Sequence, residues 1–341
     1  MIKMGLIGAG TMGDMYARAF TQYHDSQMVA VCDLNEKLAR EVAKRHGIDK
    51  VYTSYDKMLA ECPLDAVTVA TPDFVHRAPV IACLGAGKHV LCEKPMALTV
   101  EDCLAMVDAV HKSGKQLMIN FGNRQRPISY KLQQQMAENE LGPIEYIYMR
   151  LNEKRTKTDT LAWADKTSPL WFLISHVTDY VRWIVGSEIV EVYGVSYTGY
   201  LKKAKKLDTP DTTVFLVKFE NGARATLESS WVLPETYPRV VDVKLDILGE
   251  QGMIQVDFYE QGFQTFFEAA VDHPLDMGVP NFTGQTTGWW YNSCYYFVDC
   301  LEKGRHPVPD ERDGLAVVET LVAMDQSLKQ GKNVTVEHHK V

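Results

Sequence analysis

The sequence contains no apolar run near the roughly 18 residues that a membrane-spanning helix requires. It also lacks a charged leader followed by a long apolar segment, since Met1 leads straight into a short apolar strand. The seven cysteines are odd in number and include no C-x-x-C pair. These absences predict a soluble, cytoplasmic protein whose cysteines are reduced core thiols.

A basic stripe is missing as well. The formal net charge is -8, whereas a nucleic-acid partner needs clustered cations that release counterions. The one basic cluster lies between two strand-like segments, where a solvated loop is expected; it consists of Lys202, Lys203, Lys205 and Lys206. At the C-terminus, we predict that Glu337-His338-His339 is a frayed end and not a metal site. We therefore expect no nucleic acid, no membrane and no metal as partners.

The length and composition are those of a globular chain. Its 341 residues exceed what one hydrophobic core usually organises, so two domains are expected. Hydrophobic residues make up 46% of the chain and charged residues 23%, which allows a large core without a bias towards disorder.

The first 122 residues alternate between short apolar strands and helical segments. Strands are predicted at 2–7, 29–32, 66–70, 89–92 and 116–120, and helices at 14–23, 36–46, 75–86 and 100–113. This alternation predicts an α/β fold, a doubly wound parallel sheet of the Rossmann type over residues 1–122. Ligands bind such sheets at the carboxyl ends of the strands.

Residues 123–341 show a different pattern. Segments with partial period-two alternation occur at 189–198, 212–219, 223–231, 240–248 and 252–258, and helices are predicted at 127–139, 169–185 and 313–330. Asn221-Gly222 is a strong hairpin signal. We expect an α+β domain with a large, mostly antiparallel open sheet, whose uncovered face packs against another subunit.

A glycine-rich turn separates the first strand from the first helix. It consists of Gly8, Ala9, Gly10, Thr11, Met12 and Gly13. In this context Gly8 permits the tight turn, Gly10 lets the backbone approach a pyrophosphate, and Gly13 lets helix and strand pack closely. The helix N-terminus then offers N–H groups to phosphates, so all six residues are predicted to bind a dinucleotide.

Asp33 ends the second predicted strand at the distance typical of a ribose ligand. A carboxylate there accepts hydrogen bonds from the adenosine ribose hydroxyls and repels a 2′-phosphate. Because Leu34 and Asn35 follow, with no arginine, the sequence favours NAD over NADP. The alternative is that Asp33 merely caps the next helix.

Two further segments place polar residues at the ends of buried strands, where the crevice of the sheet should lie. They contribute the predicted cofactor-side residues Ala70, Thr71, Pro72, His76, Glu93 and Lys94. Pro95 disfavours a helical conformation at Lys94, so the lysine should end an extended segment and project into the crevice. Lys94 there can donate to a substrate oxygen or exchange a proton, although a surface cation at a strand end fits the spacing equally well.

A histidine motif lies inside the predicted helix 169–185. Phe172, His176, Asp179, Tyr180 and Trp183 share one helical face by spacing. A histidine on such a face can exchange a proton near neutral pH. A core histidine satisfied by one hydrogen bond is the alternative.

Taken together, these motifs resemble the glucose-fructose oxidoreductase / inositol dehydrogenase (Gfo/Idh/MocA) family over nearly the whole chain. The resemblance rests on the glycine turn, Thr71-Pro72 with His76, Glu93-Lys94-Pro95, the segment from Phe121 to Pro127 with Arg124, His176-x-x-Asp179 before Trp183 and Gly186, and Leu248-Gly249-x-x-Gly252. It implies nicotinamide-linked oxidation or reduction of a sugar, inositol or related polyol. It also implies a homodimer or homotetramer formed through the C-terminal sheet.

The resemblance further implies roles for individual residues. His176 would be the acid/base and Lys94 would hold the reacting oxygen, while Asp179 and Arg124 would contact the substrate. Trp163, Tyr237 and Trp289 are candidates for aromatic walls of the substrate pocket by residue type alone. A second group of candidates is redox-neutral lyases or hydrolases that return the hydride to the sugar, and a third is a non-catalytic NAD-binding sensor.

One position departs from the family pattern. Family dehydrogenases usually carry an aspartate four residues before the histidine, and this sequence has Phe172 there, with Ser175 where glycine is common. A phenylalanine can neither orient the imidazole nor bind a hydroxyl. We therefore expect the substrate or the proton route to differ from that of inositol dehydrogenase.

Overall fold

A computed structural model describes residues 1–259 and 284–341, and between them only the two-residue strands Thr265–Phe266, Val271–Asp272 and Val279–Pro280. The chain forms two compact units. The first comprises Met1–Arg126 and Asp276–Val318, and the second Pro127–Leu275 and Glu319–Lys340. The sequence predicted one boundary, after residue 122, whereas in the structure the chain returns to the first unit late in its course.

The first unit contains a six-stranded parallel sheet of order β3-β2-β1-β4-β5-β6. Its strands are β1 Ile2–Ile7, β2 Ser26–Cys32, β3 Lys50–Tyr52, β4 Ala66–Val69, β5 His89–Cys92 and β6 Leu117–Ile119. Its helices are α1 Thr11–Gln22, α2 Glu36–His46, α3 Tyr55–Glu61, α4 Arg77–Gly85, α5 Val100–Ser113 and α9 Trp289–Glu302. This strand order has its switch point between β1 and β4, which confirms the predicted doubly wound fold.

Helix α9 belongs to this unit although sequence reasoning did not predict it. Its Trp290 ring lies 4.7 Å from the ring of Tyr16 on α1, and its buried Phe297 joins the same core. The segment is rich in Trp and Tyr, without the simple apolar stripe that marks a surface helix. Burial on several sides explains why the helix was missed.

The second unit is built on a seven-stranded mixed sheet of order β12-β11-β7-β10-β9-β8, with the terminal strand Val334–Thr335 at the β8 edge. Its long strands are β7 Ile144–Lys154, β8 Ile189–Tyr197, β9 Thr212–Phe219, β10 Arg224–Leu233, β11 Val241–Gly249 and β12 Gly252–Asp257. All neighbours are antiparallel except β7 and β10. The predicted open sheet is therefore confirmed, but β7, one of its inner strands, had not been predicted.

Burial alternates along the strands of this sheet. On β9, Phe215 and Val217 are buried whereas Leu216 between them is 55% exposed. The predicted hairpin between β9 and β10 turns at Gly222, which has a φ of 94°.

The helices of the second unit lie close to the predicted positions. They are α6 Pro127–Ala137, the short α7 Lys157–Thr160 and α8 Ser175–Val185, and α10 Glu311–Gln330 begins in the first unit and ends in the second. A wide helical turn at Leu170–Ile174 leads into α8. Gly186, with a φ of 62°, ends α8 where the sequence placed its end.

The expectation of a frayed C-terminus is wrong. Val334–Thr335 pairs with β8, and the rings of His338 and His339 bond the buried carboxylate of Glu319 at 2.7 and 2.9 Å. The pKa of His338 is raised, chiefly by its hydrogen bond with Glu319. The C-terminal segment is held by the ion pair with the buried Glu319, and its own sequence gives no sign of this distant partner.

All seven cysteines are buried and no disulfide joins them. Burial raises the pKa of the Cys92 and Cys294 thiols well above the ordinary value, which suits inert core residues. Within the described part of the chain, no helix is both long and apolar enough to cross a membrane.

Candidate active site

The ends of the parallel strands form one continuous row of backbone in the first unit. Ile7, Cys32, Val69, Cys92 and Ile119 are register partners across the sheet. The residues that follow them continue the ladder: Gly8, Ala70, Glu93 and Asn120 donate their N–H groups to neighbouring carbonyls at 2.8–2.9 Å. The predicted cofactor residues therefore leave the sheet side by side at its carboxyl edge.

The glycine turn has the geometry that its spacing predicted. Gly8 has a φ of 96°, and a Cβ there would lie 2.6 Å from the carbonyl oxygen of Ala70. A Cβ on Gly13 would lie 2.0 Å from the carbonyl oxygen of Gly8, so the start of the helix crosses the turn at backbone contact. At Gly10 nothing lies within 4 Å. The first and third glycines are thus required by packing, and the second leaves open space where a phosphate can approach.

Helix α1 begins directly after Gly10 and has no side-chain cap at its N-terminus. The N–H groups of its first turn, from Thr11, Met12 and Gly13, are those that an N-cap side chain would otherwise satisfy. An uncapped helix start beside an open glycine is the arrangement that binds phosphate oxygens. These residues fit the diphosphate of a dinucleotide.

The carboxylate of Asp33 lies beside the turn. Its Oδ2 accepts a hydrogen bond of 2.7 Å from the N–H of Ala9, and its Oδ1 accepts one of 2.8 Å from the N–H of Asn35. The side chain of Asn35, not that of Asp33, caps helix α2 by accepting from the N–H of Leu38. The helix-cap alternative for Asp33 is therefore wrong, and the carboxylate keeps lone pairs that can accept ribose hydroxyls.

His76 connects the loops that follow β4 and β5. Its ring is buried, with Nδ1 2.9 Å from the carbonyl oxygen of Pro95 and Nε2 2.9 Å from that of Thr71. The ring thereby fixes the separation of the Thr71-Pro72 and Lys94-Pro95 segments. The geometry gives His76 a positioning role at the edge where it was predicted to bind cofactor.

A buried hydrogen-bond network holds Glu93, the residue before Lys94. Its Oε1 accepts from the hydroxyl of Tyr16 at 2.6 Å and from the amide of Asn120 at 3.2 Å. The hydroxyl of Ser293 in turn donates to Asn120 at 2.6 Å. Burial, and then the neighbouring Glu93, raise the pKa of Tyr16 well above its ordinary value, so Tyr16 stays a neutral donor. Sequence reasoning missed Tyr16, Asn120 and Ser293 because their partners are remote in the chain.

Lys94 is the first partly exposed residue after β5, between the buried Glu93 and Pro95. Its N–H lies 3.3 Å from Oε2 of Glu93, and its peptide bond to Pro95 is cis. The backbone of the lysine is thus tied to the network around Glu93. The structure places it at the predicted edge, in the first unit.

His176 and Asp179 lie on helix α8 of the second unit. Asp179 is almost fully buried, whereas His176 is partly exposed. Phe172 precedes His176 by one turn, in the wide helical segment that leads into α8. The three residues share the helix that spacing predicted.

Phe172 stands at the centre of an aromatic cluster. Its ring lies 5.9 Å from that of Trp163 and 5.6 Å from that of Trp231. The Nζ of Lys157 lies 4.8 Å from the centre of the Phe172 ring. Trp163 thus lies close to the predicted helix face, while Lys157 and Trp231 were not predicted because only packing brings them there.

The other predicted substrate contacts lie elsewhere. Arg124 is buried in the first unit and pairs with Asp313, at 3.0 and 3.3 Å through its two terminal nitrogens. Trp289 belongs to the first unit's core, with the guanidinium of Arg126 4.2 Å above its ring. Tyr237 lies between β10 and β11, partly buried.

Two family models match the chain. Residues 2–121 match the model described as an oxidoreductase family with an NAD-binding Rossmann fold, and residues 130–255 match a GFO/IDH/MocA C-terminal domain. The two matches follow one another along the chain, one on each half of the architecture described above.

Individual relatives are similar over most of their length. A myo-inositol 2-dehydrogenase from Thermotoga maritima is 24% identical over 340 residues, which is 98% of this chain and 99% of that protein. A 2,7-anhydro-N-acetylneuraminate hydratase from Escherichia coli is 29% identical over 272 residues, or 76% and 68% of the two chains. The crystal structure of scyllo-inositol dehydrogenase from Lactobacillus casei, with NAD(H) and scyllo-inositol, superposes with a TM-score of 0.86 at 19% identity, covering 98% and 99%. That last likeness establishes a shared fold.

Proposed function

The chain belongs to the Gfo/Idh/MocA family of oxidoreductases with an NAD-binding Rossmann domain, and on that premise we propose that it is an NAD-dependent dehydrogenase or reductase. Its substrate is a CH–OH group, or the corresponding ketone, of a sugar, an inositol or a related cyclic polyol. The observation that carries the proposal is the arrangement at the carboxyl edge of the parallel sheet. There the open glycine turn, Asp33 and Lys94 follow strands whose last residues are aligned in register.

The chain's own residues supply the cofactor site. When bound, NAD provides the hydride acceptor. The uncapped N-terminus of α1 binds the diphosphate, and Gly10 leaves the space for it. Asp33 accepts the ribose hydroxyls and disfavours a 2′-phosphate, so the cofactor is NAD in preference to NADP. Ala70, Thr71 and Pro72 line the loop that His76 fixes.

Lys94 and His176 carry the proton chemistry of the proposal. Lys94 donates to the reacting oxygen and stabilises its alkoxide character, and His176 takes up or returns the proton of that oxygen. The network around Glu93 limits the motion of the lysine backbone. Asp179, Arg124 and Trp163 are proposed substrate contacts, of which Arg124 would act while paired with Asp313.

A panel of inositols, hexoses and their keto forms tests this function. Each compound is mixed with the purified protein and NAD or NADH, and the absorbance of the NADH band is followed. We expect one class of cyclic polyol to give sustained, enzyme-dependent turnover. If the panel gives no cofactor turnover while a polyol is chemically transformed, the dehydrogenase assignment is wrong.

A second candidate is a redox-neutral reaction, in which the sugar is oxidised transiently and then reduced again. The observation that favours it is the relative from Escherichia coli that is a hydratase, together with Phe172 in place of the usual aspartate. In that case the substrate is consumed without accumulation of NADH. Product analysis by NMR alongside the absorbance measurement separates the two reactions.

We also propose that the protein is a homodimer or homotetramer assembled through the sheet of the second unit. Large apolar side chains are exposed on its strands, among them Tyr197 at 66%, Leu216 at 55% and Met253 at 51%. Apolar groups on neighbouring strands of one sheet are typical of a surface that another protein covers. Light scattering that finds a stable monomer at micromolar concentration would rule this out, and Leu216→Lys should weaken the assembly.

A further inference from the structure

We propose that the second unit contains a carboxylate-binding subsite centred on Arg155, so that the substrate is a sugar acid or a related carboxylated cyclic polyol. The inference rests on the proposed function, because it specifies which polyhydroxy compound is bound. No role for Arg155 follows from the sequence motifs, and the position stands out only in the folded chain.

The guanidinium of Arg155 is held in place. The residue follows β7, and its N–H donates to the carbonyl oxygen of Leu233 at the end of β10. Its guanidinium carbon lies 4.4 Å from the centre of the Tyr200 ring. The N–H of Tyr200 is in turn bonded to the buried Asp211 at 2.6 Å. A guanidinium that lies over the ring of a residue with an anchored backbone has less freedom to turn than an isolated one.

A donor of this guanidinium lacks an acceptor. Arg155 Nε is buried and has no hydrogen-bond partner among the described residues. Leaving a buried charged donor unsatisfied costs more than leaving a neutral one unsatisfied. Nε itself is closed to solvent, so a ligand oxygen would bind the two terminal nitrogens of the guanidinium, which make no hydrogen bond or ion pair with a described residue.

The charges nearby favour a single anionic group. Lys157 lies two residues beyond Arg155, and its Nζ is 3.8 Å from Glu153, so its charge is already matched. Glu153 also accepts from the indole of Trp231 at 3.2 Å. No carboxylate pairs with Arg155 among the residues described. One unmatched guanidinium can bind a carboxylate through two N–H groups and balances its single charge, whereas it balances only half the charge of a dianionic phosphate.

The chain segment that carries Arg155 contacts the residues that lead into the helix of His176. Lys157 lies over the ring of Phe172, one turn before His176. Phe172 contributes no charge, whereas an acid at that position would compete for the cations and repel a carboxylate. The aromatic cluster around Phe172 offers an apolar face for the sugar ring, while Arg155 provides the charge that selects the acid.

Binding measurements with matched neutral and acidic sugars test the proposal without depending on turnover. Calorimetry in the presence of NADH compares D-glucuronate and D-galacturonate with D-glucose and D-galactose, and with D-glucose 6-phosphate. We expect at least one uronate to bind tenfold or more tightly than its neutral parent and than the phosphate. Arg155→Gln should abolish this preference, and Arg155→Lys should restore part of it. Lys154→Gln is the matched control, because it removes the same charge from the adjacent residue, which is also partly buried.

The outcomes separate this proposal from the proposed function. Equal affinity for acids and neutral sugars, or an unchanged preference in Arg155→Gln, overturns the subsite. A preference for the phosphate overturns the choice of carboxylate. If a uronate binds selectively through Arg155 and neither the uronates nor any compound in the panel turns over NAD, the subsite stands and the dehydrogenase function is wrong. Thermal unfolding and NAD affinity must match the wild type in each variant.

Discussion

The two units of this protein build their candidate sites in different ways. In the first unit the site is made of main chain at the ends of strands in one register, with three glycines and one carboxylate. In the second unit the candidate residues are side chains from a helix, a strand end and a loop, held by ring contacts and ion pairs. A site formed by backbone depends on a short motif, so it tolerates no change in that motif. A site formed by side chains can be altered one residue at a time, which suits the selection of a substrate.

The largest effect is expected at the glycine turn, where substitution of Gly13 should reduce stability and substitution of Gly10 should reduce NAD affinity. Gly13→Ala places a methyl group 2.0 Å from a backbone oxygen, so it should lower the free energy of unfolding by about 3 kcal/mol or more. Gly10→Ala meets nothing within 4 Å and should leave stability within about 0.5 kcal/mol, as surface substitutions usually do, while NAD affinity falls at least tenfold. Denaturant unfolding and calorimetry measure both, and equal losses of stability would contradict the different roles of the two glycines.

Replacing Lys94 by Ala should lower turnover by roughly a hundredfold or more, the scale expected for a positioned donor or acid/base. The dissociation constant of NAD should stay within a few-fold, because the lysine lies beyond the glycine turn along the sheet edge. Steady-state kinetics on a confirmed substrate, with a parallel NAD titration, measure the two effects. Near-normal turnover in the variant, or failure to fold, would make the lysine structural.

His176→Ala tests the corresponding residue of the second unit. The variant should lose the ionisation that governs the pH profile of turnover, because the imidazole is the proposed proton acceptor. The measurement is the dependence of kcat/KM on pH in both proteins. An unchanged profile would transfer the proton role to Lys94 or to a water molecule.

Cofactor preference is a smaller effect that tests Asp33 alone. NAD(H) should bind at least tenfold more tightly than NADP(H), a difference of about 1.4 kcal/mol or more, because the carboxylate repels a 2′-phosphate. Calorimetric titration with both cofactors decides it. Asp33→Asn keeps the shape of the side chain and should narrow the gap, whereas equal affinities in the wild type would refute the ribose role.

The smallest effect concerns the C-terminal clasp of His338 and His339 on Glu319. Burial opposes the ionisation of Glu319, but hydrogen bonds from the two histidines outweigh it and lower its pKa. The pKa of His338 is raised in the folded protein. Its ion pair with Glu319 therefore contributes fully to the free energy of unfolding below about pH 6.5, the ordinary pKa of histidine, and this contribution is lost as the pH rises through the higher folded pKa. We expect the contribution to be about 1 kcal/mol or less.

Thermal unfolding between pH 6 and 9 measures the clasp. His338→Gln should unfold at a lower temperature than the wild type near pH 6 and converge with it at high pH. His24→Gln removes an exposed histidine of the first unit and serves as the control. If the difference in unfolding temperature between the two proteins is the same at every pH, the ionised His338 does not stabilise the fold.

The fold was predictable in its main features because hydrophobic periodicity and glycine positions are local properties. The strands of the first sheet, the hairpin at Gly222 and the end of α8 at Gly186 all follow from short windows of sequence. Strand β7 and helix α9 were missed. Helix α9 has buried residues around most of its circumference, so it shows no simple amphipathic pattern. Strand β7 does alternate in burial from Ile147 to Leu151, but Tyr146 and Tyr148 on its less buried face obscure the period-two pattern in the sequence.

The sequence by itself determined the dinucleotide motif. Gly8, Gly10, Gly13 and Asp33 act through the local path of the chain, so their spacing already implies their geometry. Only the tertiary structure decided the surroundings of Glu93, the pairing of the C-terminal histidines with Glu319 and the unsatisfied guanidinium of Arg155. Each of these depends on which distant side chain becomes the neighbour in a packed interior. Contacts of that kind are selected by the fold as a whole, and no short window of sequence contains them.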